Sequence, residues 1–190
     1  MKKIIFFNVF LTILFAKDIN SYLVDADNSQ LRWTATKLTG SHWGYVKIKK
    51  GEIVLNQKQI ISGKIFVDLN SITVEDMGDS PWAEKLVNHL KSEDFFDVKN
   101  FSLASLDLKS SSLTDGSFLI NGDLTIKEQT HQINFPAVIN FSDSGPIASG
   151  QLKIDRTNYN IKYRSGKFYP DIGDKLIYDD FIIDFILKTR

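Results

Sequence analysis

The stretch SFLINGDLTI, residues 117–126, alternates apolar and polar side chains over most of its length. One face carries Phe118, Ile120, Gly122, Leu124 and Ile126, and the other carries Asn121, Asp123 and Thr125. Because successive side chains of a strand point to opposite faces, this period places one face against a core and the other in water. The stretch therefore predicts a half-buried antiparallel β-strand.

The same two-residue period recurs in other parts of the chain. The runs are 31–35, 46–55, 61–69, 101–108, 133–141, the residues around 152–154, and 181–187. Gly51 in the second run and the change of phase before Leu106 in the fourth predict β-bulges, and Pro136 restricts how its strand pairs. About eight antiparallel strands with short connections favour an all-β fold, either a closed barrel or a sandwich.

One segment, residues 80–98, breaks the strand pattern. Ser80 is a good helix N-cap and Pro81 suits the first helical position. A 3.6-residue period then gathers one apolar stripe, which consists of Trp82, Ala83, Leu86, Val87 and Leu90. Phe95 and Phe96 extend the stripe beyond the helix. We expect this segment to lie across one end of a barrel, either as a lid over a ligand entrance or as a plug that belongs to the core.

Composition indicates a single globular domain. The chain has 190 residues, of which 43% are hydrophobic, and this is enough for one sizeable core. It carries 23 basic and 23 acidic residues without a basic block. Because nucleic-acid binding needs a concentrated positive surface, we expect no nucleic-acid partner.

The N-terminus has the pattern of an export signal. Lys2 and Lys3 precede a mostly apolar run from Ile4 to Ala16, which is shorter than the roughly 20 residues of a membrane-spanning helix. We predict a signal peptide over residues 1–16, cleavage at about residues 16 to 21, and one domain over residues 22–190. The predicted compartment is the periplasm, with secretion as the alternative.

Residue types that carry chemistry are sparse. The chain has no cysteine, which excludes disulfides and thiol catalysis, and its three histidines, His42, His89 and His131, are far apart in sequence. The sequence contains no H-E-x-x-H, G-x-S-x-G or S-x-x-K motif and no glycine-rich phosphate-binding loop. We therefore predict no catalytic residue, no metal site and no cofactor.

The C-terminal third interleaves aromatic and cationic side chains. Between residues 155 and 181 these include Arg156, Tyr163 and Arg164. Such side chains suit a polar headgroup, although aromatic barrel rims with flanking charges also occur without any ligand. We take these three residues as candidate headgroup contacts.

Several motifs together resemble the YceI-like family of exported polyisoprenoid-binding proteins. They are VDADNSQLRW (24–33), HLKSEDFFDV (89–98), INGDLTIKEQT (120–130), DRTNYNIKYRSGKF (155–168) and IYDDF (177–181), and they occur in the family's order. The resemblance spans about residues 22 to 188. The chain departs from the family pattern at Asn28, Ser102 and Glu128, where histidine, proline and glycine are common.

The resemblance implies a lipocalin-like barrel whose interior holds a polyisoprenoid or another long-chain lipid, with one or two short helices near one end. Barrel residues expected to contact the lipid are Trp33, Phe118, Ile120, Leu124, Phe135, Phe181, Ile183 and Phe185. Lid residues expected to contact it are Trp82, Leu86, Leu90, Phe95 and Phe96.

Two other functions stay open at this point. In the first, inward aromatic side chains fill the barrel, and its surface binds a protein partner. In the second, the chain is an enzyme that acts on a bound isoprenoid, although no base, nucleophile and orienting group occur together in the sequence. The sequence leaves the oligomeric state undecided, and a homodimer is one alternative.

Overall fold

The computed structural model describes residues 18–142 and 144–190, so the predicted signal peptide lies outside the described residues. The strands are β1 (Ile19–Leu23), β2 (Gln30–Lys37), β3 (Gly40–Asn56), β4 (Gln59–Asp68), β5 (Leu103–Thr114), β6 (Ser117–Ile126), β7 (Gln129–Ser142), β8 (Gly145–Asp155) and β9 (Ile177–Lys188). One α-helix, α1 (Pro81–Lys91), and three short 3-10 helices (Leu69–Ser71, Arg156–Tyr159 and Gly173–Lys175) connect them.

Strands β2 to β9 form a closed antiparallel barrel. Neighbours in sequence pair with one another, and β2 pairs with β9 to complete the ring. A closed sheet leaves no unpaired strand edge. The predicted eight-stranded, lipocalin-like barrel with a short helix near one end is confirmed.

Strand β1 is an addition that the sequence pattern did not predict. It pairs with residues 52–56 of β3, while β2 pairs with residues 40–46 of the same long strand. Strands β1 and β2 therefore lie one after the other along one edge of β3. The side chains of β1 are mostly exposed, so no apolar alternation marks this strand in the sequence.

The inward faces follow the predicted alternation, with shifts at bulges. In β6, residues 118, 120, 122, 124 and 126 are all buried. In β4 the register slips, because Val54 pairs with Ser62 but the next residue, Leu55, pairs with Ile60. Ile61 is therefore 42% exposed and Ile60 faces inward, which corrects the predicted face.

Two predicted bulges are displaced along their strands. The β3 bulge lies between Ile48 and Lys50 rather than at Gly51, and the β5 bulge lies between Leu108 and Ser110. The β6–β7 connection is a tight two-residue turn, although Glu128 stands where the family commonly has glycine. Lys127 and Glu128 both adopt left-handed φ angles, 49° and 61°, as such a turn requires.

The two ends of the barrel differ in their connections. At the end that we call the lid end, residues 69–102 link β4 to β5 and residues 156–176 link β8 to β9. At the opposite end, the floor end, short hairpins link β3 to β4, β5 to β6 and β7 to β8. In the described part of the chain, no helix is long and apolar enough to cross a membrane.

Candidate functional site: an apolar cavity inside the barrel

The barrel interior contains a cavity of about 210 Å³. Inward side chains of all eight barrel strands form its wall, and the connections at the lid end contribute Leu69, Ile72, Leu90, Phe95, Phe96, Arg156 and Ile161. An apolar cavity of about 150 Å³ is already large enough to stay dry and bind benzene. The cavity therefore suits an apolar ligand.

Most of the residues predicted to contact a ligand lie in this wall. They are Trp33, Leu90, Phe95, Phe96, Ile120, Leu124, Phe135, Phe181, Ile183 and Phe185, together with Arg156 from the candidate headgroup contacts. The aromatic residues predicted to fill a packed barrel, such as Trp33, Phe135 and Phe185, line an open space instead.

Trp82 does not lie on the buried face of α1, which corrects its prediction as a ligand contact. Its side chain is 68% exposed, and the Lys85 ammonium group lies 5.2 Å from its ring centroid. The buried stripe of the helix is centred on Ala83 and Leu90. Because consecutive helical residues are about 100° apart, Trp82 is turned away from that stripe towards solvent.

Leu86 and Phe118 also lie outside the cavity wall. Leu86 is half-buried and packs against the core. Phe118 is 8% exposed and lies near the floor end, where its ring centroid is 6.3 Å from that of Phe141. Both residues support the walls without facing the cavity.

The lid segment, which we define as residues 81–101, begins as predicted. The Ser80 hydroxyl accepts a hydrogen bond from the Ala83 amide at 3.2 Å, which caps the helix. After the helix, the Phe96 amide donates to the Leu90 carbonyl at 3.1 Å and the Val98 amide donates to the Lys91 carbonyl at 2.9 Å. These turns fold the chain back, so that both phenylalanines after the helix reach the cavity.

Aromatic contacts join the lid segment to the loop formed by residues 156–176. The His89 ring lies 5.0 Å from the Phe95 ring and 4.7 Å from the Tyr163 ring, and both contacts are edge-on. His89 Nε2 also lies 2.9 Å from an Asp94 carboxylate oxygen. His89 thus serves as a packing residue where two connections meet.

Trp33 is held in place by a strap of residues 72–76. Its indole N–H donates to the Thr73 carbonyl at 3.0 Å, and the strap pairs with β3 through Thr73 and Glu75. Gly44 makes this approach feasible, because a Cβ at that position would overlap the Thr73 carbonyl oxygen. The indole N–H therefore has a hydrogen-bond partner within the protein, and the apolar ring lines the cavity.

Arg156 is buried at the lid end of the cavity. Its guanidinium donates to the carbonyls of Ile161 (2.9 Å), Ile177 (3.0 Å) and Tyr178 (3.2 Å), and one nitrogen lies 3.5 Å from Asp179. Burial lowers its pKa, and the charge of Asp179 opposes that shift. Arginine remains protonated all the same. These bonds fasten the 156–176 loop to β9.

The other two candidate headgroup residues lie apart from Arg156. Tyr163 packs against His89 and Phe95, and the Arg164 guanidinium lies 5.1 Å from the Tyr163 ring centroid. Neither residue is in the cavity wall. The predicted group of three is therefore divided between the cavity wall and half-buried positions on the loop.

A charged cluster holds the base of the same loop. The Lys167 ammonium group lies 2.6 Å from Asp155, whose carboxylate also accepts from the Thr157 amide at 2.9 Å. Partial burial raises the pKa of Asp155, but the hydrogen bonds from Lys167 and Thr157 outweigh it and hold this pKa below its ordinary value. The ionised carboxylate therefore contributes to the folded loop.

The three histidines bond to separate partners. His42 lies 2.8 Å from Asp76, and His131 lies 2.8 Å from the Asn158 carbonyl oxygen. Among residues 18–142 and 144–190, no three acidic or histidine side chains lie close enough together to hold a metal ion.

Some wall residues were missed by the sequence patterns. Ile72 and Ile161 belong to connections rather than strands, yet both line the cavity and are 6% and 1% exposed. Ile72 and Val74 flank Thr73 with a two-residue period, which is too short a signal to recognise. Ile161 stands alone between polar residues and gives no signal.

The closed antiparallel barrel with an apolar interior defines a lipocalin-like architecture. A family model, the YceI-like domain, matches residues 22–189, and the chain belongs to this family. No curated protein matches the chain in a sequence comparison.

Solved structures share the fold at low sequence identity. Burkholderia cenocepacia BcnA is 20% identical, with a TM-score of 0.65 over 86% of this chain and 98% of that one. A polyisoprenoid binding domain from Saccharophagus degradans, implicated in plant cell wall breakdown, is 15% identical, with a TM-score of 0.62 over 87% and 95%. A Campylobacter jejuni YceI protein is 14% identical, with a TM-score of 0.54 over 100% and 99%.

Proposed function

We propose that the chain binds a polyisoprenoid or a similar long-chain lipid inside the barrel and sequesters or transports it outside the cytoplasm. The observation that carries the proposal is the apolar cavity of about 210 Å³, which all eight barrel strands line. Membership of the YceI-like family and the fold shared with a polyisoprenoid binding domain support it.

Apolar burial alone supplies enough affinity for this role. At about 0.8 kcal/mol per buried methylene, enclosing ten carbons contributes roughly 8 kcal/mol before ordering costs. A net free energy of that size corresponds to micromolar binding, so a chain of more than ten carbons is needed to offset the ordering costs and reach that affinity. The ligand needs no hydrogen bond inside the barrel, and we propose binding without catalysis.

The tryptophans provide a direct test. Trp33 lines the cavity, whereas Trp82 is exposed and Trp43 lies against Arg32, whose guanidinium is 4.5 Å from its ring centroid. In a Trp43→Phe/Trp82→Phe variant, titration with an isoprenoid alcohol should change the Trp33 emission saturably. A matched Trp33→Phe variant, which keeps the two outer tryptophans, should show no change.

The proposal fails if the Trp33-only variant gives no saturable response. It also fails if the Trp33→Phe variant gives an equal response, because the lipid would then associate with the outer surface.

The export part of the proposal rests on the order of charges and apolar residues in residues 1–16. Expression of the full chain in a bacterial host, followed by N-terminal sequencing of periplasmic protein, should give a start between about residues 17 and 22. Recovery of the chain with Met1 intact in the membrane fraction would contradict export.

A further inference from the structure

A second, smaller cavity lies beyond the main one towards the floor end. Its volume is about 20 Å³, and its wall includes Leu55, Pro146 and Thr189, none of which lines the main cavity. The second cavity is therefore separate from the first, although both lie inside the same barrel.

The two cavities share part of their walls. Ile53, Ile60, Ile139, Ala148 and Leu187 line both of them. These residues come from five strands, and Ala148 pairs with Ile139 on one side and with Leu187 on the other. We call the four larger side chains, those of Ile53, Ile60, Ile139 and Leu187, the floor layer.

The floor layer is apolar, and three of its four side chains are buried. Ile53, Ile60 and Leu187 are each 6% exposed. Below it, the Thr189 hydroxyl donates to the Pro146 carbonyl at 2.9 Å, so this hydroxyl is already satisfied within the protein. The floor end accordingly suits a hydrocarbon terminus.

The lid end differs from the floor end in its connections rather than in its polarity. Among the described residues of the cavity wall, Arg156 is the one charged side chain, and its guanidinium is occupied by three backbone carbonyls and Asp179. Because the described part of the wall offers no free polar group, a polar terminus of the ligand is expected to stay at the lid end, where the two long connections meet, and the hydrocarbon terminus to point towards the floor end.

We propose that the floor layer sets the greatest chain length that the barrel accepts, with the apolar end of the ligand resting on it. This inference rests on the proposed function and names its specificity-determining residues. Removing a floor side chain joins the two cavities and makes room for further carbons, whereas adding atoms at Ala148 closes that room. Each additional buried methylene strengthens binding of a longer chain.

The test compares isoprenoid alcohols of increasing length, from geraniol through farnesol to geranylgeraniol and longer homologues, by the Trp33 titration in the Trp43→Phe/Trp82→Phe background. Affinity should rise with length up to a limit and then level off or fall. Leu187→Ala should raise the affinity for the first alcohol beyond that limit by about tenfold relative to shorter ones.

Leu152→Ala is the matched control, because Leu152 lines the main cavity alone and the same atoms are removed. It should change the affinity for all lengths alike. Ala148→Val should move the limit to a shorter chain, and it provides the test if Leu187→Ala does not fold.

The outcomes separate the two proposals. If the starting variant binds no alcohol of any length, the proposed function fails. If it binds them but Leu187→Ala and Ala148→Val leave the limit unmoved, or Leu152→Ala moves it equally, the floor-layer inference fails while lipid binding stands.

Discussion

The two ends of the barrel are closed in different ways. At the floor end, short hairpins and buried aliphatic side chains such as Leu55 and Leu187, 2% and 6% exposed, close the interior. At the lid end, the 156–176 loop is anchored by Tyr159 and Ile161, each 1% exposed, whereas the lid segment meets this loop through half-buried rings such as His89 and Tyr163. Segments with fewer buried contacts open at lower free energy than the core. The junction between the lid segment and the anchored loop is therefore the expected entrance, and the floor end is expected to stay closed.

The largest loss of stability is expected when Arg156, the anchor of the 156–176 loop at the lid end, is removed. Arg156→Ala leaves three carbonyls and Asp179 without their buried partner, so we expect a loss of about 3–5 kcal/mol in the free energy of unfolding. Urea denaturation measures it. The control, Arg164→Ala, removes a half-buried cation that stacks on Tyr163 and should cost roughly 0.5 kcal/mol or less. Equal losses in the two variants would contradict the anchoring role of Arg156.

The next prediction compares the loss of stability caused by a truncation at the floor end with that caused by a truncation in the lid segment. Leu55→Ala should cost about 3 kcal/mol of stability in the ligand-free protein, because it leaves a cavity in a packed layer. Phe96→Ala should cost about half as much, since Phe96 is only partly buried and faces the cavity. Thermal or urea unfolding measures both.

Ligand release should show the reverse order. Phe96→Ala removes part of the lid and should speed release of a fluorescent isoprenoid analogue by roughly tenfold, the factor that 1.4 kcal/mol represents. Leu55→Ala should change the release rate little at temperatures where the variant stays folded. If Leu55→Ala accelerates release more than Phe96→Ala does, the ligand leaves through the floor end.

A smaller effect concerns the pH dependence of the lid-end loop. The pKa of Asp155 is held below its ordinary value of 3.8. A depressed carboxyl pKa contributes stability that is present above 3.8 and is lost as the pH falls through the folded-state pKa. Asp155→Asn should therefore lower the Tm by roughly 2–4 °C near pH 7.

This difference in Tm should shrink as the pH is lowered past 3.8, because the wild-type carboxylate then takes up a proton. Thermal unfolding of both proteins over a pH series measures it. A Tm difference that stays constant down to the lowest pH would show that the charge of Asp155 does not stabilise the loop.

The smallest effect is expected at the junction between the lid segment and the 156–176 loop. His89→Ala removes two edge-on ring contacts and one bond to Asp94, all at a half-exposed position, so a stability loss of about 1 kcal/mol is expected. Trp82→Ala is the control and should cost less, because Trp82 projects into solvent. A loss above about 3 kcal/mol for His89→Ala would place it in the core rather than in a movable junction.

The sequence predicted the barrel better than the site. The period of residues 118–126 follows directly from the pleat of a strand with one buried face, and every residue on that face is buried. The cap at Ser80 is equally local, because it requires one hydroxyl and one amide two to three residues later.

Other features depend on distant parts of the chain. Strand β1 is stabilised by pairing with β3, and the register slip that turns Ile61 outward depends on its partner strand. Trp82 fits an apolar stripe on a helical wheel, yet the orientation of the helix on the barrel leaves it in solvent. The partners of Arg156 come from residues 161–179, and their convergence depends on the folded loop.

Native mass spectrometry tests lipid binding in the barrel most directly. The protein, purified without detergent and incubated with a total lipid extract of the source cell, should carry one additional mass per chain, which extraction identifies as an isoprenoid or another long-chain lipid. A Leu187→Ala variant should retain a longer species from the same extract. Recovery of the chain with no bound lipid at any ratio of extract to protein would contradict the account.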